Sequence, residues 1–195
     1  MEILISFFMQ TKMLQYWSTF VCIWLLVFFG THQEAFGSRK KAEEYQAKTA
    51  LLFNFAKLSN WPPEAFADGD STFIFAVLGP NPFGSSLELI RGKNMHGRRI
   101  EVKHYNSVDD FQPCQVLFTS SDSLSQLRQL HSDLFERGHV LTVGQADEFA
   151  RMGGILHLTF EDDRLAFIVN LGSARQAQIE ISASLLNLAI EIVGN

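Results

Sequence analysis

The chain has 195 residues and a formal net charge of −5, from 21 acidic and 16 basic side chains. That mildly acidic balance, with no basic stripe, does not suggest nucleic-acid binding. Hydrophobic residues make up 47% of the sequence, which suffices for a packed core in one domain.

The first feature along the chain is the apolar block Phe20 to Phe29, followed by Ala35-Phe36-Gly37. Lys12 gives a sparse positive flank, and the small residues Ala35 and Gly37 fit a small-x-small cleavage pattern. Residues 1–37 therefore read as a signal peptide cleaved near Gly37, with translation starting at Met1, Met9 or Met13. The alternative is an uncleaved anchor over residues 13–30, diluted by Gln15, Ser18 and Thr19. Export to the periplasm removes the chain from ATP, NAD and nucleic acid. Residues 38–44 read as a charged linker and residues 45–195 as one domain.

Tyr45 to Asn60 reads as a helix stopped by Trp61-Pro62-Pro63. Thr72 to Leu78 is a nearly continuous apolar run, as for a strand covered on both faces. Ser85-Ser86-Leu87-Glu88 has the spacing of a capping box opening a short helix. Arg99 to Tyr105 alternates as an edge strand, and Gln115 to Thr119 reads as a buried one. Ser123 to Arg137 is predicted helical and ends at Gly138. His139 to Val143 is a third core strand, followed by a short helix to Met152 and the Gly153-Gly154 turn. Ile155 to Phe160 and Arg164 to Leu171 form a hairpin around Glu161-Asp162-Asp163. Ser173 and Gln176 repeat the capping-box spacing and predict a long helix to Val193. The pattern is three-layer α/β: a mainly parallel sheet with an antiparallel hairpin and flanking helices.

At about 100° per residue, Ala47, Ala50, Leu51, Phe55, Leu58 and Trp61 share one face of the first helix. Asn54 falls in its middle, which predicts a buried amide tied to a neighbouring backbone. Tyr45, Leu52 and Ala56 form a second strip, and Phe53 lies among Gln46, Lys57 and Asn60 on the polar side. Such a surplus of apolar surface suits either burial between sheet and helix or a docking surface for a partner or second subunit. Phe53, Lys57 and Trp61 are the candidate partner-binding residues. Cys114, the single cysteine after residue 37, precedes an apolar run and reads as a buried inert thiol.

Three loops are expected at the carboxyl ends of the core strands, where open α/β sheets bind ligands. Their candidate ligand-binding residues are Asn81, Phe83, Gly84, Ser120, Ser121 and Gln145. None has a phosphate-binding fingerprint, and ordinary turns are the competing reading. His96, His104, His131, His139 and His157 lack metal-ligand spacing, and no Gly-x-Ser-x-Gly elbow occurs. No catalytic residue, metal or cofactor is expected.

The segment Tyr45 to Lys57 followed by Trp61-Pro62 resembles the opening signature of YfiR-like periplasmic proteins. The likeness continues through Val77-Leu78-Gly79, Pro82-Phe83-Gly84, Gly97-Arg98 and Cys114 to Phe118. It then takes in Leu141 to Gly144, Gly153-Gly154-Ile155, Ile168 to Leu171 and Ser182 to Leu188. Asn54, Cys114 and Asn170 are expected to be structural. The resemblance implies an exported, non-enzymatic α/β protein. It would restrain a membrane-bound diguanylate cyclase by binding its periplasmic part, so that release raises cyclic di-GMP and promotes biofilm. An outer-membrane lipoprotein and a homodimer mate are further candidate partners. With no output domain after Asn195, the signal would pass in trans. The chain departs from the family in lacking the cysteines for an internal disulfide after residue 37, which argues against redox control. The competing reading is a periplasmic binder of a small ligand or cell-wall fragment.

Overall fold

The computed structural model describes residues 39–66, 72–120, 138–162 and 164–194. The signal-peptide reading and the predicted helix over 123–137 lie outside them. The chain divides into two units, Met1–Glu44 and Tyr45–Asn195. In the first, residues 39–44, expected to be a linker, are helical and carry an exposed Arg39–Glu43 pair at 3.1 Å. Among the described residues no helix is long and apolar enough to cross a membrane.

Among its described residues the second unit has ten strands, eight of them in one sheet. α1 (residues 39–57) leads into it and is followed by β1 (Ser59–Asn60) and β2 (Thr72–Leu78). Next come β3 (Asn94–Met95), β4 (Arg98–Tyr105), β5 (Val116–Thr119) and β6 (Leu141–Gly144). The hairpin is β7 (Leu156–Glu161) and β8 (Arg164–Asn170). The chain closes with α2 (Leu171–Gln176), β9 (Glu180–Ile181), α3 (Ala183–Leu186) and β10 (Glu191–Val193).

The main sheet runs β10-β8-β7-β6-β5-β2-β4-β3, and β1 pairs separately with β9. β4, β2, β5, β6 and β7 are mutually parallel, β8 turns back along β7, and β10 is parallel to β8. The fold is therefore α/β with a mostly parallel sheet and an antiparallel hairpin. β2 shows why its sequence is apolar throughout. Phe73, Phe75 and Val77 join the core beneath α1, while Ile74, Ala76 and Leu78 join a second cluster with Tyr105, Cys114 and Leu117. A strand buried on both faces has no polar position to spare.

Several predicted helices take other forms. Ser86–Ile90 is a 3-10 helix, and the Ser85 side chain does not cap it. Residues 146–153 make turns instead of a helix. The expected helix from Ser173 to Val193 is broken into α2, β9, α3 and β10. Its first cap is Asn170, whose Oδ1 accepts from Ser173 N at 2.9 Å, so Ser173 lies inside the first turn. Gln178 then adopts φ of 55°, which ends any helix. The β-branched Ile190, Ile192 and Val193 complete a strand against β8.

Candidate functional site

The side of α1 that enters the core is not the side with most apolar residues. Lys48, Thr49, Leu52, Phe55 and Ala56 are buried, while Ala47, Ala50, Asn54, Lys57 and Leu58 are exposed. Asn54 is thus no buried amide; it sits on the outer face, opposite the core. Counting apolar positions favoured the wrong stripe because two buried positions carry polar residues. Thr49 Oγ1 donates to Tyr45 O at 2.8 Å, which satisfies its hydroxyl within the helix. Lys48 buries its stem and holds its ammonium 4.4 Å from the centroid of the Tyr45 ring and 5.4 Å from that of Phe160.

The outer face of α1 is therefore a ridge of small and apolar side chains. Leu58 is 41% exposed, next to exposed Lys57. Phe53 and Trp61 do not stand clear of it. Phe53 is half-buried and packed against the core, with Lys93 Nζ 5.5 Å from its ring centroid. Trp61 meets Phe73 edge-on at 5.1 Å, and its indole N–H is buried without a hydrogen-bond partner among the described residues. His96 Nε2 lies 2.8 Å from Ala56 O and so donates to a carbonyl in the last turn of α1. Of the three predicted docking residues, Lys57 is the exposed one, while Phe53 and Trp61 are half-buried.

The loops after β2 and β6 are filled by aromatic rings. Phe83 is buried, edge-on to Phe118 at 4.6 Å and to Tyr45 at 5.2 Å. This is a core role rather than a ligand contact. Asn81 Oδ1 accepts from Phe83 N at 3.0 Å and fixes that turn, and Gly84 supplies φ of 53°. Ser120 and Gln145 are half-buried, and Ser121 lies outside the described residues. Phe149, not singled out from sequence, occupies the end of β6. Its ring lies so close to Gly144 and Gly154 that a Cβ on either would fall 2.4 Å and 2.0 Å from it. The paired glycines after Met152 were the available signal for it.

Among the described residues the titratable groups do not assemble into a catalytic set. Among the described residues no cluster of three His, Cys, Asp or Glu could hold a metal ion. Burial pushes the Cys114 thiol far up, and it raises the Tyr105 phenol to about 12, with neighbouring Cys114 adding to the shift. Buried His157 is lowered by desolvation, against the pull of Asp147 and Glu148. Asn170 ties two segments together: Nδ2 donates to Ala150 O at 2.7 Å while Oδ1 caps α2.

The strand order and the mostly parallel sheet define an α/β domain. The family model described as YfiR/HmsC-like matches residues 45–190, and the chain belongs to that family. No curated protein matches. A crystal structure of a conserved domain protein from Vibrio cholerae O1 biovar El Tor is similar, with a TM-score of 0.50 and 14% identity. The match covers 76% of this chain and 60% of that one, and at this identity it speaks for the fold alone.

Proposed function

We propose that this chain is an exported, non-enzymatic regulator that binds the periplasmic part of a membrane-bound diguanylate cyclase and holds it in check. Release of the partner would raise cyclic di-GMP and favour biofilm. Membership of the YfiR/HmsC-like family supports the class of partner. The observation that carries the docking surface is the outer face of α1, where Ala47, Ala50 and Leu58 face solvent around Asn54. A ridge with alanines at i and i+3 lets another helix approach closely, and Leu58 supplies an apolar anchor at its end. Purified protein is expected to retain a diguanylate cyclase from detergent-solubilised membranes, and Ala50→Glu is expected to abolish retention while the fold persists. Equal retention by both proteins would reject α1 as the surface. No cyclase retained by the unaltered protein would reject the reading itself.

A second reading, a binder of a small ligand or cell-wall fragment, is favoured by an open groove of about 910 Å³. Its walls include Pro62, Glu64, Ala174, Arg175, Ile179 and Ile181, away from the strand-end loops. An apolar floor flanked by charges of both signs suits a ligand with both carboxylate and amino groups. Calorimetry with cell-wall peptides tests it, and absence of heat for the whole set would reject it.

A further inference from the structure

Charge is unevenly spread along this chain. Residues 91–103 hold five of its 16 basic side chains, Arg91, Lys93, Arg98, Arg99 and Lys103, against one acidic side chain, Glu101. The whole chain carries a net −5. A cluster of one sign against a background of the other marks a surface for an anionic partner. The segment is the β3–β4 hairpin with the turn that precedes it. His96 and Gly97 take φ of 51° and 82°, the left-handed pair that a two-residue hairpin turn requires. Residues 91–94, 96, 97 and 99 are exposed, so the hairpin projects from the sheet edge.

The side chains of the hairpin meet aromatic rings. Phe53 and Lys57 lie one turn apart on α1, and Lys93 Nζ is 5.5 Å from the Phe53 ring centroid. His96 Nε2 donates to Ala56 O in the same turn of α1, and its ring lies 6.2 Å from that of Trp61. Arg98 sets its guanidinium 3.9 Å from the Phe66 centroid. Phe53, Trp61 and Phe66 are all half-buried. Nearby carboxylates cancel little of the charge. Glu88 pairs with Arg91, which also donates to Val102 O at 3.0 Å. Among the described residues Lys57, Lys93 and Arg99 have no carboxylate within ion-pair distance.

We infer that this hairpin and the adjoining end of α1 rest on an anionic phospholipid surface. Two features favour lipid over an acidic protein segment. A projecting turn is convex and fits a flat, fluid surface, whereas peptides are held in grooves or along strand edges. Long basic side chains beside half-buried aromatic rings also suit a membrane interface, with stems and rings at the acyl boundary and charges at the phosphates. Leu89, two residues before Arg91 and 58% exposed, adds apolar surface to the same segment. Attachment of this kind is reversible. Each basic residue contributes roughly five-fold in partition, and salt screens it. The inference does not rest on the cyclase reading, since no protein partner enters it.

Flotation of the full chain with vesicles tests it. The readout is the excess of binding to vesicles of equal parts phosphatidylglycerol and phosphatidylcholine over vesicles of phosphatidylcholine alone. That difference removes any charge-independent contribution of the apolar block at residues 20–29. An excess is expected at low salt and is expected to vanish in about 1 M salt, where the Debye length is about 3 Å. Lys57→Gln combined with Lys93→Gln is expected to cut the excess about twenty-five-fold. Arg164→Gln, on β8 and far along the sheet from β4, is expected to leave it unchanged. Circular dichroism checks that each variant folds, and Arg99→Gln, with an expected loss of about five-fold, is read if the double variant does not. No excess on anionic vesicles, an excess that survives high salt, or equal losses in the folded hairpin and Arg164 variants would each overturn the proposal. A chain that binds soluble polyglutamate but shows no excess on vesicles would also overturn it, assigning the patch to an acidic protein.

Discussion

Phe149 lies against Gly144 so closely that a Cβ placed on the glycine would fall 2.4 Å from the phenylalanine ring. Gly154 is closer still, at 2.0 Å. The ring is 1% exposed and closes the end of β6 between these two backbones. Gly144→Ala and Gly154→Ala must therefore move a buried aromatic. Each is expected to lower stability by about 1–3 kcal/mol, the usual range for overpacking. Chemical denaturation checks this, and a midpoint unchanged in Gly154→Ala would mean that the ring relocates at no cost.

Asn170 links three pieces of backbone by one side chain. It donates to Ala150 O, caps α2, and lies against Gly194, where an added Cβ would fall 2.2 Å from its Oδ1. Asn170→Ala leaves the Ala150 carbonyl and the Ser173 N–H without their partner, at an expected cost of about 1–3 kcal/mol. Asn170→Asp keeps the cap but loses the donor, so it should fall between. An Asn170→Asp variant as stable as the original would show that the bond to Ala150 contributes nothing.

Much of this architecture was legible in the sequence, for identifiable reasons. β2, β5, β6 and the β7–β8 hairpin announce themselves because burial on both faces, or on one, leaves periods that no helix shares. The C-terminal region misled because Leu185 to Val193 is apolar without a clear period. Only the φ of Gln178 and pairing with β8 decide that it ends as a strand. The face of α1 misled for a different reason. A lysine whose stem is buried over aromatic rings and a threonine bonded within its own helix both count as polar in sequence, yet both are core. The groove beside Arg175 was not legible, since its walls come from segments more than a hundred residues apart.

His157 gives the protein an acid-sensitive component. Burial lowers its pKa in the folded state, with Arg151 assisting and Asp147 and Glu148 opposing. The unfolded chain titrates near the ordinary histidine value of about 6.5 and so takes up the proton first. The contribution is complete above that value and is lost as pH falls from there toward the folded pKa. His157→Gln is expected to flatten the stability profile between about pH 7 and 5. Equal slopes for the two proteins across this window would show that His157 protonates as freely in the fold as out of it.

Cys114 is expected to resist thiol reagents in the native state. It is 3% exposed, and burial raises its pKa far above the usual thiol range, so thiolate is scarce. Labelling with a maleimide should proceed at the rate of unfolding and become fast in denaturant. Prompt labelling of the native protein at this position would contradict the burial. Cys114→Ser should also lower stability, because a hydroxyl there has no partner assured.

The last prediction separates packing from docking on α1. The sequence placed Phe53 on the polar side of the helix, but the structure packs it against the core with Lys93 over its ring. Phe53→Ala is therefore expected to destabilise the fold by about 1–3 kcal/mol, less than a fully buried phenylalanine would. Within the proposed docking surface Leu58 would be the anchor, because the residue is 41% exposed while its carbonyl is held by Ser182 N at 3.1 Å. Leu58→Glu should leave the thermal midpoint nearly unchanged. If α1 is the docking surface, loss of an anchor costs about 2 kcal/mol, roughly a thirty-fold loss of affinity. Cellular cyclic di-GMP should then rise toward the level of a strain lacking the protein. The docking assignment is sunk by a Leu58→Glu protein that accumulates normally, melts normally and leaves cyclic di-GMP where it was.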